Sequence, residues 1–597
     1  MELMQSGVLT YRIKQLGRQP EKIWGIIFLL LLIGLVIVPL LFIIVNSFLF
    51  DASAPRMVHG AREGQFTLFY WFRVLFGRLS QSIFLKPGVH SLSIAFGMTA
   101  ISLILGSLLA YIVVRTDIPL KRFFSIVLII PYISPSWTIA LAWLMVFKSK
   151  RFGGAPGLLN YFFGIDIPEW VAYGYLPIVI TLGIHYIPYT FILMRGVLAN
   201  IDSRLEESAE ILGAGRLEVL RKVTLPLALP ALGSAFILTF SKGLGEFATQ
   251  AFLGLPIRYY TLSTRVYSAL HNQLFGEGYV LSLMLIIVTV LMVWTNQSLI
   301  GTRKRFVTLE GKGTLRRAHS LKRWRVPVTT LMLVFVVIFV FGPLLLLGWQ
   351  TLMRYDGRYG LDNITLHYWI GSADPALAEG QPGIFHNPYI LNALKNSVAL
   401  AGITAVLSGI VGILIGYTVV RNRKYRFSRC LQGISFIPYM IPGIAFSGIF
   451  LTMFARSWGP FPALYGTFAL LVLTCTVKYL PFSTSSGISA MHQIDPSLEE
   501  VGVIHNINWG MRFIRIVIPL AKSGILSAML LTFITTMRAL DVVILLVTPK
   551  APLMTSIIFR YQSQEFSQHA YAVLLVIVFI VVLGHLILNR IGGKIEL

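Results

Sequence analysis

Long apolar runs separated by short polar stretches set the pattern of this chain. They fall near residues 23–49, 90–114, 123–147, 171–197, 229–254 and 279–300, then near 327–350, 394–420, 430–455, 464–490, 524–548 and 570–589. A helix rises 1.5 Å per residue, so about 20 apolar residues cross a hydrocarbon core of about 30 Å. The pattern therefore predicts an all-α polytopic membrane protein of about 12 transmembrane helices. The first run follows Arg12, Lys14, Arg18 and Lys22, and Ala52-Ser53-Ala54 after it imitates a cleavage site. It is nevertheless far longer than the roughly 7–15 apolar residues of a secretory signal. It reads as a retained first helix with its N-terminus in the cytoplasm.

The second half of the chain repeats the first. HSLSIAFGMTAISLILGSLLAYIVVR at 90–115 returns as NSVALAGITAVLSGIVGILIGYTVVR at 396–421, each position 306 residues later. IPY at 130–132 returns at 437–439, and YIPY at 186–189 returns as YLPF 293 residues later. Expected boundaries are a cytoplasmic N-terminal tail over 1–22, a first half over 23–300 with its core from about 89, a linker over 301–325, and a second half over 326–597 with its core over about 393–590. The linker holds nine Lys/Arg against one Glu, as befits a cytoplasmic loop. Six helices return the chain to its starting side. The halves are therefore expected to be two parallel-repeat six-helix bundles rather than inverted repeats.

Two polar segments break the apolar pattern at matching places. EESAEILGAGRLEVLRKVTLPLALP covers Glu206 to Pro230, and LEEVGVIHNINWGMRFIRIVIPL covers Leu498 to Leu520. Asp202-Ser203 and Asp495-Pro496 offer helix N-caps, with Pro496 suited to the first helical position. Ser203 and Glu206 have capping-box spacing. Gly213 suits a left-handed turn after the short helix, and Asn506 in the second copy tolerates one. A helix this short is marginal without a partner, so its duplication points to a repeated docking task.

Composition agrees with a membrane chain. Of 597 residues, 56% are hydrophobic and 13% charged, with mean hydropathy +0.75. A soluble domain carries about 25% charged residues. The formal charge is +25, and the 50 Lys and Arg divide roughly two to one in favour of the side bearing the polar segments. This bias explains the basic balance without nucleic acid. Cys430 and Cys475 fall in or beside apolar helices and offer neither a disulfide framework nor metal spacing.

The polar segments carry a specific resemblance. Glu-Ser-Ala-x-x-x-Gly at 207–213, nine residues, then Val-x-Leu-Pro at 223–226 resembles the EAA motif of ABC-importer permeases. Glu207, Ala209, Gly213, Leu225 and Pro226 occupy motif positions. In the second half Glu500, Ile516, Ile518 and Pro519 match, while Gly502 and Asn506 depart. The chain is most similar to fused ferric-iron permeases, through IPYMIPGIAF at 437–446 and KYLPFSTSSGISAM at 478–491. Thiamine, polyamine, sulfate and phosphonate permeases share the scaffold. The resemblance implies a multi-pass permease of the bacterial inner membrane that takes substrate from an external binding protein. It also implies two copies of a cytoplasmic ATPase that carry ATP and Mg, while this chain binds no cofactor. The short helices would dock in a groove on each ATPase and pass its closure to the membrane helices.

Candidate pathway residues come from charges and tyrosines in the apolar runs. Lys242 and Glu246 fall on the fifth run, Arg538 and Asp541 on the eleventh, and Lys478 on the tenth. Two readings stay open. Glu246 and Asp541 line a path where carboxylates attract a hard cation, or Lys242–Glu246 and Arg538–Asp541 neutralise each other at helical spacing. Pro131, Pro135, Pro188, Pro438, Pro442 and Pro481 interrupt these runs, and Tyr132, Tyr189 and Tyr439 beside them line a pathway or sit at an interface. There is no P-loop, no catalytic constellation and no metal-ligand spacing, so the chain is not expected to be an enzyme. The rival of another class is a secondary transporter driven by an ion gradient.

Overall fold

The structure, a computed structural model, describes residues 20–148, 156–303, 319–457, 459 and 462–591. Most of the expected tail 1–22 and linker 301–325 lies outside the described residues. Among the described residues ten helices are long and apolar enough to cross a membrane. They are α1 (Pro20–Asn46), α2 (Gln81–Arg115), α5 (Glu169–Asn200), α7 (Leu217–Gly245), α8 (Phe275–Thr295), α9 (Lys322–Thr351), α10 (Pro388–Arg421), α13 (Phe468–His492), α15 (Trp509–Met537) and α16 (Ser567–Ile587). Two bent pairs bring the possible spans to 12. These are α3 (Lys121–Ile133) with α4 (Trp137–Phe147), bent by 86°, and α11 (Arg426–Met440) with α12 (Gly443–Phe454), bent by 106°. Short helices α6 (Ser203–Ile211) and α14 (Ser497–Ile504) occupy the polar segments.

Proline acts differently from place to place. Among the described residues, Pro135 and Pro442 break a helix outright, because Ser134 and Ile441 before them are extended, with ψ of 155° and 126°. Pro188, Pro438 and Pro481 lie inside continuous helices. Five others each follow a π-helical turn by two residues. The turns Ile33–Ile37, Gln81–Leu85, Leu220–Thr224, Val337–Phe341 and Phe513–Val517 precede Pro39, Pro87, Pro226, Pro343 and Pro519. A proline ring collides with the carbonyl four residues back. Widening that turn by one residue relieves the collision while the helix continues.

The fifth and eleventh runs are corrected. Their helices begin inside the polar segments, at Leu217 and Trp509, and end at Gly245 and Met537. Glu246 is thus the C-cap of α7, and Asp541 lies in a turn beyond α15. Neither carboxylate sits on a helix face as the sequence spacing implied.

The chain folds as two compact units. The first comprises Leu68–Leu391 and Met554–Val582, and the second Met1–Thr67, Asn392–Leu553 and Leu583–Glu596. The leading helix of each sequence half packs in the unit built mainly from the other half. In the first unit α9 lays Met332, Val336 and Val340 against Phe124, Leu128 and Phe191. In the second, Gly25 of α1 is so close to Phe427 that a Cβ would fall 2.7 Å from its ring.

Each unit contains a close helix pair. In the first, a Cβ on Gly106 of α2 would lie 2.9 Å from the Ile187 carbonyl oxygen of α5, and Ser102 donates to the Tyr186 carbonyl at 2.8 Å. In the second, a Cβ on Gly412 of α10 would lie 2.6 Å from the Ser483 carbonyl carbon of α13, and one on Gly416 2.5 Å from that of Gly487. Small residues let membrane helices approach this closely, where dispersion and hydrogen bonds replace the hydrophobic effect.

Candidate coupling site

Both short helices start in the same way. Asp202 accepts from the Arg204 backbone N–H at 3.0 Å, and Asp495 from that of Ser497 at 2.9 Å. Each fills one of the orphan donors of a helix N-terminus. The Ser497 amide holds the Asp495 carboxyl below the usual carboxylate range. Both helices also end alike. Gly213 has φ 90° and Asn506 φ 54°, and the amides of Ala214 and Ile507 bond back to Ala209 and Gly502 at 3.0 and 2.9 Å. These are left-handed C-terminal caps. Gly502 has its own cause, since a Cβ there would meet the Arg512 side chain at 2.8 Å.

Glu206 does not close a capping box. Its side chain turns inward, where it accepts from the Thr224 hydroxyl at 2.7 Å and faces Arg115 and His319, each at 3.6 Å. Burial alone pushes its carboxyl up, but hydrogen bonds from His319 and Thr224, with the Arg115 charge, outweigh it and hold it below the ordinary value. Glu499 holds the same repeat position. It accepts from Arg421 Nε at 2.8 Å and from the Tyr417 hydroxyl at 2.7 Å. Arg115 and Arg421 each also donate to the carbonyl just ahead of the short helix, Ile201 at 2.9 Å and Ile494 at 3.4 Å.

The outward faces are apolar. Ile211 and Leu212 are 85% and 87% exposed, and Ile504 is 78% exposed. Glu207 is half-buried and Glu500 exposed. Ala209 lies on α6, Leu225 and Pro226 follow the π-turn into the body of α7, and Ile518 and Pro519 do the same in α15. His319 is fixed by backbone bonds to Arg115 and Asp117, and Asp117 accepts from the Leu321 amide, which keeps its carboxyl below its ordinary value.

The proposed pathway residues gather at the helix breaks. In the first unit Glu246 accepts from Ser136, the residue ahead of α4, at 2.6 Å. Tyr132 stands 5.9 Å from Tyr189 and 5.8 Å from His185 between ring centroids. In the second unit Asp541 Oδ2 lies so close to Gly443, the first residue of α12, that a Cβ there would collide with it. Each carboxylate thus meets the positive N-terminal end of the helix after the break. Lys478 donates to the carbonyls of Pro438 and Ile441 at the opposite, negative end of α11, and Tyr439 packs edge-on to Phe482 at 5.8 Å. No cluster of three or more His, Cys, Asp or Glu able to hold a metal exists among the described residues.

Sequence reasoning passed over Arg115, Arg421, Tyr417, Glu499, Thr224 and His319, and gave Glu206 a capping role instead of a buried one. A signal was present, because Tyr-x-x-x-Arg recurs at 111–115 and 417–421, and Glu206 recurs as Glu499 at the offset of the polar segments.

The chain is 25% identical over 512 residues to the ferric transport system permease protein FbpB of Actinobacillus pleuropneumoniae, covering 85% of this chain and 70% of that one. It is 25% identical over 529 residues to the putative ferric transport system permease protein FbpB 1 of Haemophilus influenzae, covering 87% and 77%. Over 261 residues it is 25% identical to the spermidine/putrescine transport system permease protein PotC of Escherichia coli, covering 44% and 87%. Among solved structures, a bacterial ABC transporter that imports the acidic polysaccharide alginate aligns with TM-score 0.35 and 17% identity, over 46% of this chain and 97% of that one. The family of binding-protein-dependent transport system inner membrane components matches residues 102–299 and 408–595, one match in each repeat. The chain belongs to that family, as a multi-pass, non-catalytic permease of the inner membrane.

Proposed function

We propose that this chain is the membrane-spanning part of an ATP-driven importer for ferric iron, served by two copies of a cytoplasmic ATPase and one external binding protein. The observation that carries the reading is the pair of capped short helices. Both expose apolar tips, Ile211-Leu212 and Ile504, on polar segments at equal repeat positions. Exposed isoleucine and leucine at the end of a polar helix match an apolar groove on a partner. In this reading the N-terminus of α1 is cytoplasmic, the two six-helix halves run parallel, and α6 and α14 face the cytoplasm. Nucleotide-driven closure of the ATPases displaces α6 and α14 and opens the path outward, and hydrolysis returns it. Glu207, Ala209, Gly213, Leu225 and Pro226, with Glu500, Asn506, Ile518 and Pro519, form the coupling surface.

Iron is favoured because the ferric relatives extend over 85% and 87% of the chain, whereas the polyamine relative extends over 44%. Glu246 and Asp541 line the path, with Tyr132, Tyr189 and Tyr439, and supply hard oxygen donors to a hard cation. Uptake of ferric iron, thiamine and phosphonate by a strain lacking this chain tests the substrate. Restoration of thiamine uptake alone ends the iron reading. Substitution of Glu207 with arginine, followed by pull-down of the ATPase, tests the coupling surface. Unchanged binding and transport overturn it, and transport without any ATPase replaces it with a gradient-driven carrier.

A further inference from the structure

We propose that Arg115 with Glu206, and Arg421 with Glu499, are positioning pairs that carry the displacement of each short helix into a membrane helix. The proposal rests on the docking role given above to α6 and α14. A short helix flanked by a left-handed turn and an extended connection can swing about its ends. Gly213 at φ 90° and Asn506 at φ 54° are such turns, and Ile201 before α6 is extended, with ψ 125°. A push from a partner would then be absorbed locally. The buried carboxylates remove that freedom.

Glu499 is gripped by Arg421 Nε at 2.8 Å and by the Tyr417 hydroxyl at 2.7 Å, and both donors lie on the last turns of the 34-residue α10. Arg421 also holds the Ile494 carbonyl at 3.4 Å, so one guanidinium spans both sides of the N-cap of α14. Guanidinium is the side chain suited to such a fork, with five fixed donors and a permanent charge. In the first unit Arg115, the last residue of α2, holds Glu206 by an ion pair at 3.6 Å without a hydrogen bond and donates to the Ile201 carbonyl at 2.9 Å. There Thr224, the last residue of the π-turn leading into α7, adds a second membrane helix to the same carboxylate. Glu206 is 2% exposed and Glu499 7% exposed. A buried carboxylate tolerates no loss of partner without paying for its desolvation. The short helix and the membrane helix therefore move as one body. Beyond the grip, α10 is in backbone contact with α13 through Gly412 and Gly416, so the motion reaches the centre of the unit.

The test uses the intact permease–ATPase complex in lipid nanodiscs, nucleotide-free and trapped with ATP and vanadate. Hydrogen exchange is followed at 497–504 and at 412–421. In the wild type both segments are expected to change with nucleotide. In Arg421→Ala and Glu499→Ala the ATPase is expected to stay bound and the change at 497–504 to persist. The change at 412–421 should fall at least about fivefold, the lower end of a coupling interaction. The exchanged pair Arg421→Glu with Glu499→Arg restores it to within about twofold, which a merely destabilised protein would not do. Glu499→Gln, nearly isosteric, guards against misfolding and loses the response as well. A full response at 412–421 in these variants, or no rescue by the exchanged pair, overturns the proposal. A wild-type complex with no nucleotide response at 497–504 overturns the docking role itself, and the positioning role with it.

Discussion

Alanine substitution of the glycines along α10 should have graded effects that depend on what each meets. Gly402 has no atom of another element within 4 Å of an added Cβ. There the substitution removes only the backbone entropy cost of glycine and should stabilise by about 0.5–1 kcal/mol. At Gly409 the new methyl would lie 2.5 Å from Met529 Cγ and 2.6 Å from Cε. Methionine is flexible and can turn aside, so the outcome should lie near neutral. At Gly412 and Gly416 the methyl would lie 2.6 Å and 2.5 Å from the carbonyl carbons of Ser483 and Gly487. Carbon atoms prefer about 3.5–4.0 Å, so α13 must retreat by about 1 Å along its whole contact. Such overpacking costs about 1–3 kcal/mol, and the retreat also loosens the reciprocal contact of Gly487 on α10. Thermal unfolding of the purified chain in one detergent, with the four variants side by side, measures the order. Gly402→Ala should be highest, Gly409→Ala next, and Gly412→Ala and Gly416→Ala lowest. The double variant Gly412→Ala/Gly416→Ala should cost less than the sum, because one retreat serves both. If Gly416→Ala proves as stable as Gly402→Ala, close backbone approach does not hold the second unit together.

Three further outcomes are expected. Ile211→Asp or Leu212→Asp should weaken ATPase binding at least about tenfold in a titration, since burying such a side chain is worth about 1.5–3 kcal/mol. The Glu206 carboxyl is held below its ordinary value, so its contribution is complete above that value and is lost as pH falls through the lowered one. The difference in thermal stability between wild type and Glu206→Gln should therefore be level from neutral pH down to 4.5 and shrink only below it. Lys478→Met leaves the Pro438 and Ile441 carbonyls without their ammonium donor and should cost about 1–3 kcal/mol in the same unfolding measurement.

Much of the architecture was legible because lipid imposes a simple rule. Apolar runs marked the helices, and the repeat marked their duplication. Asp202, Gly213 and Asn506 marked the ends of the short helices, since caps and left-handed turns depend on one or two local residues. The rest depends on distance in the chain. Nothing near Glu246 in sequence reveals that Ser136 meets it, 110 residues away. Glu206 lay within capping-box spacing and still chose Thr224, 18 residues on, because the fold brings a hydroxyl and a guanidinium to its buried side. The spacing of Lys242 with Glu246 and of Arg538 with Asp541 suggested helical pairs, yet α7 and α15 stop before the carboxylates. Apolar runs do not stop there, so hydropathy extends the helix past its real end.

The widened turns ahead of the prolines have a consequence for reading or redesigning this chain. Each inserts one residue into the winding, and one residue corresponds to a slip of about 100° around the axis. In α7 and α15, side chains on one stripe before Leu220–Thr224 or Phe513–Val517 therefore point elsewhere after it. A helical-wheel plot drawn straight through either segment assigns the wrong side to everything beyond. Removing one residue from either segment would let the turn close to regular winding and leave its two ends facing as they do now, whereas the same deletion elsewhere in the helix would rotate them.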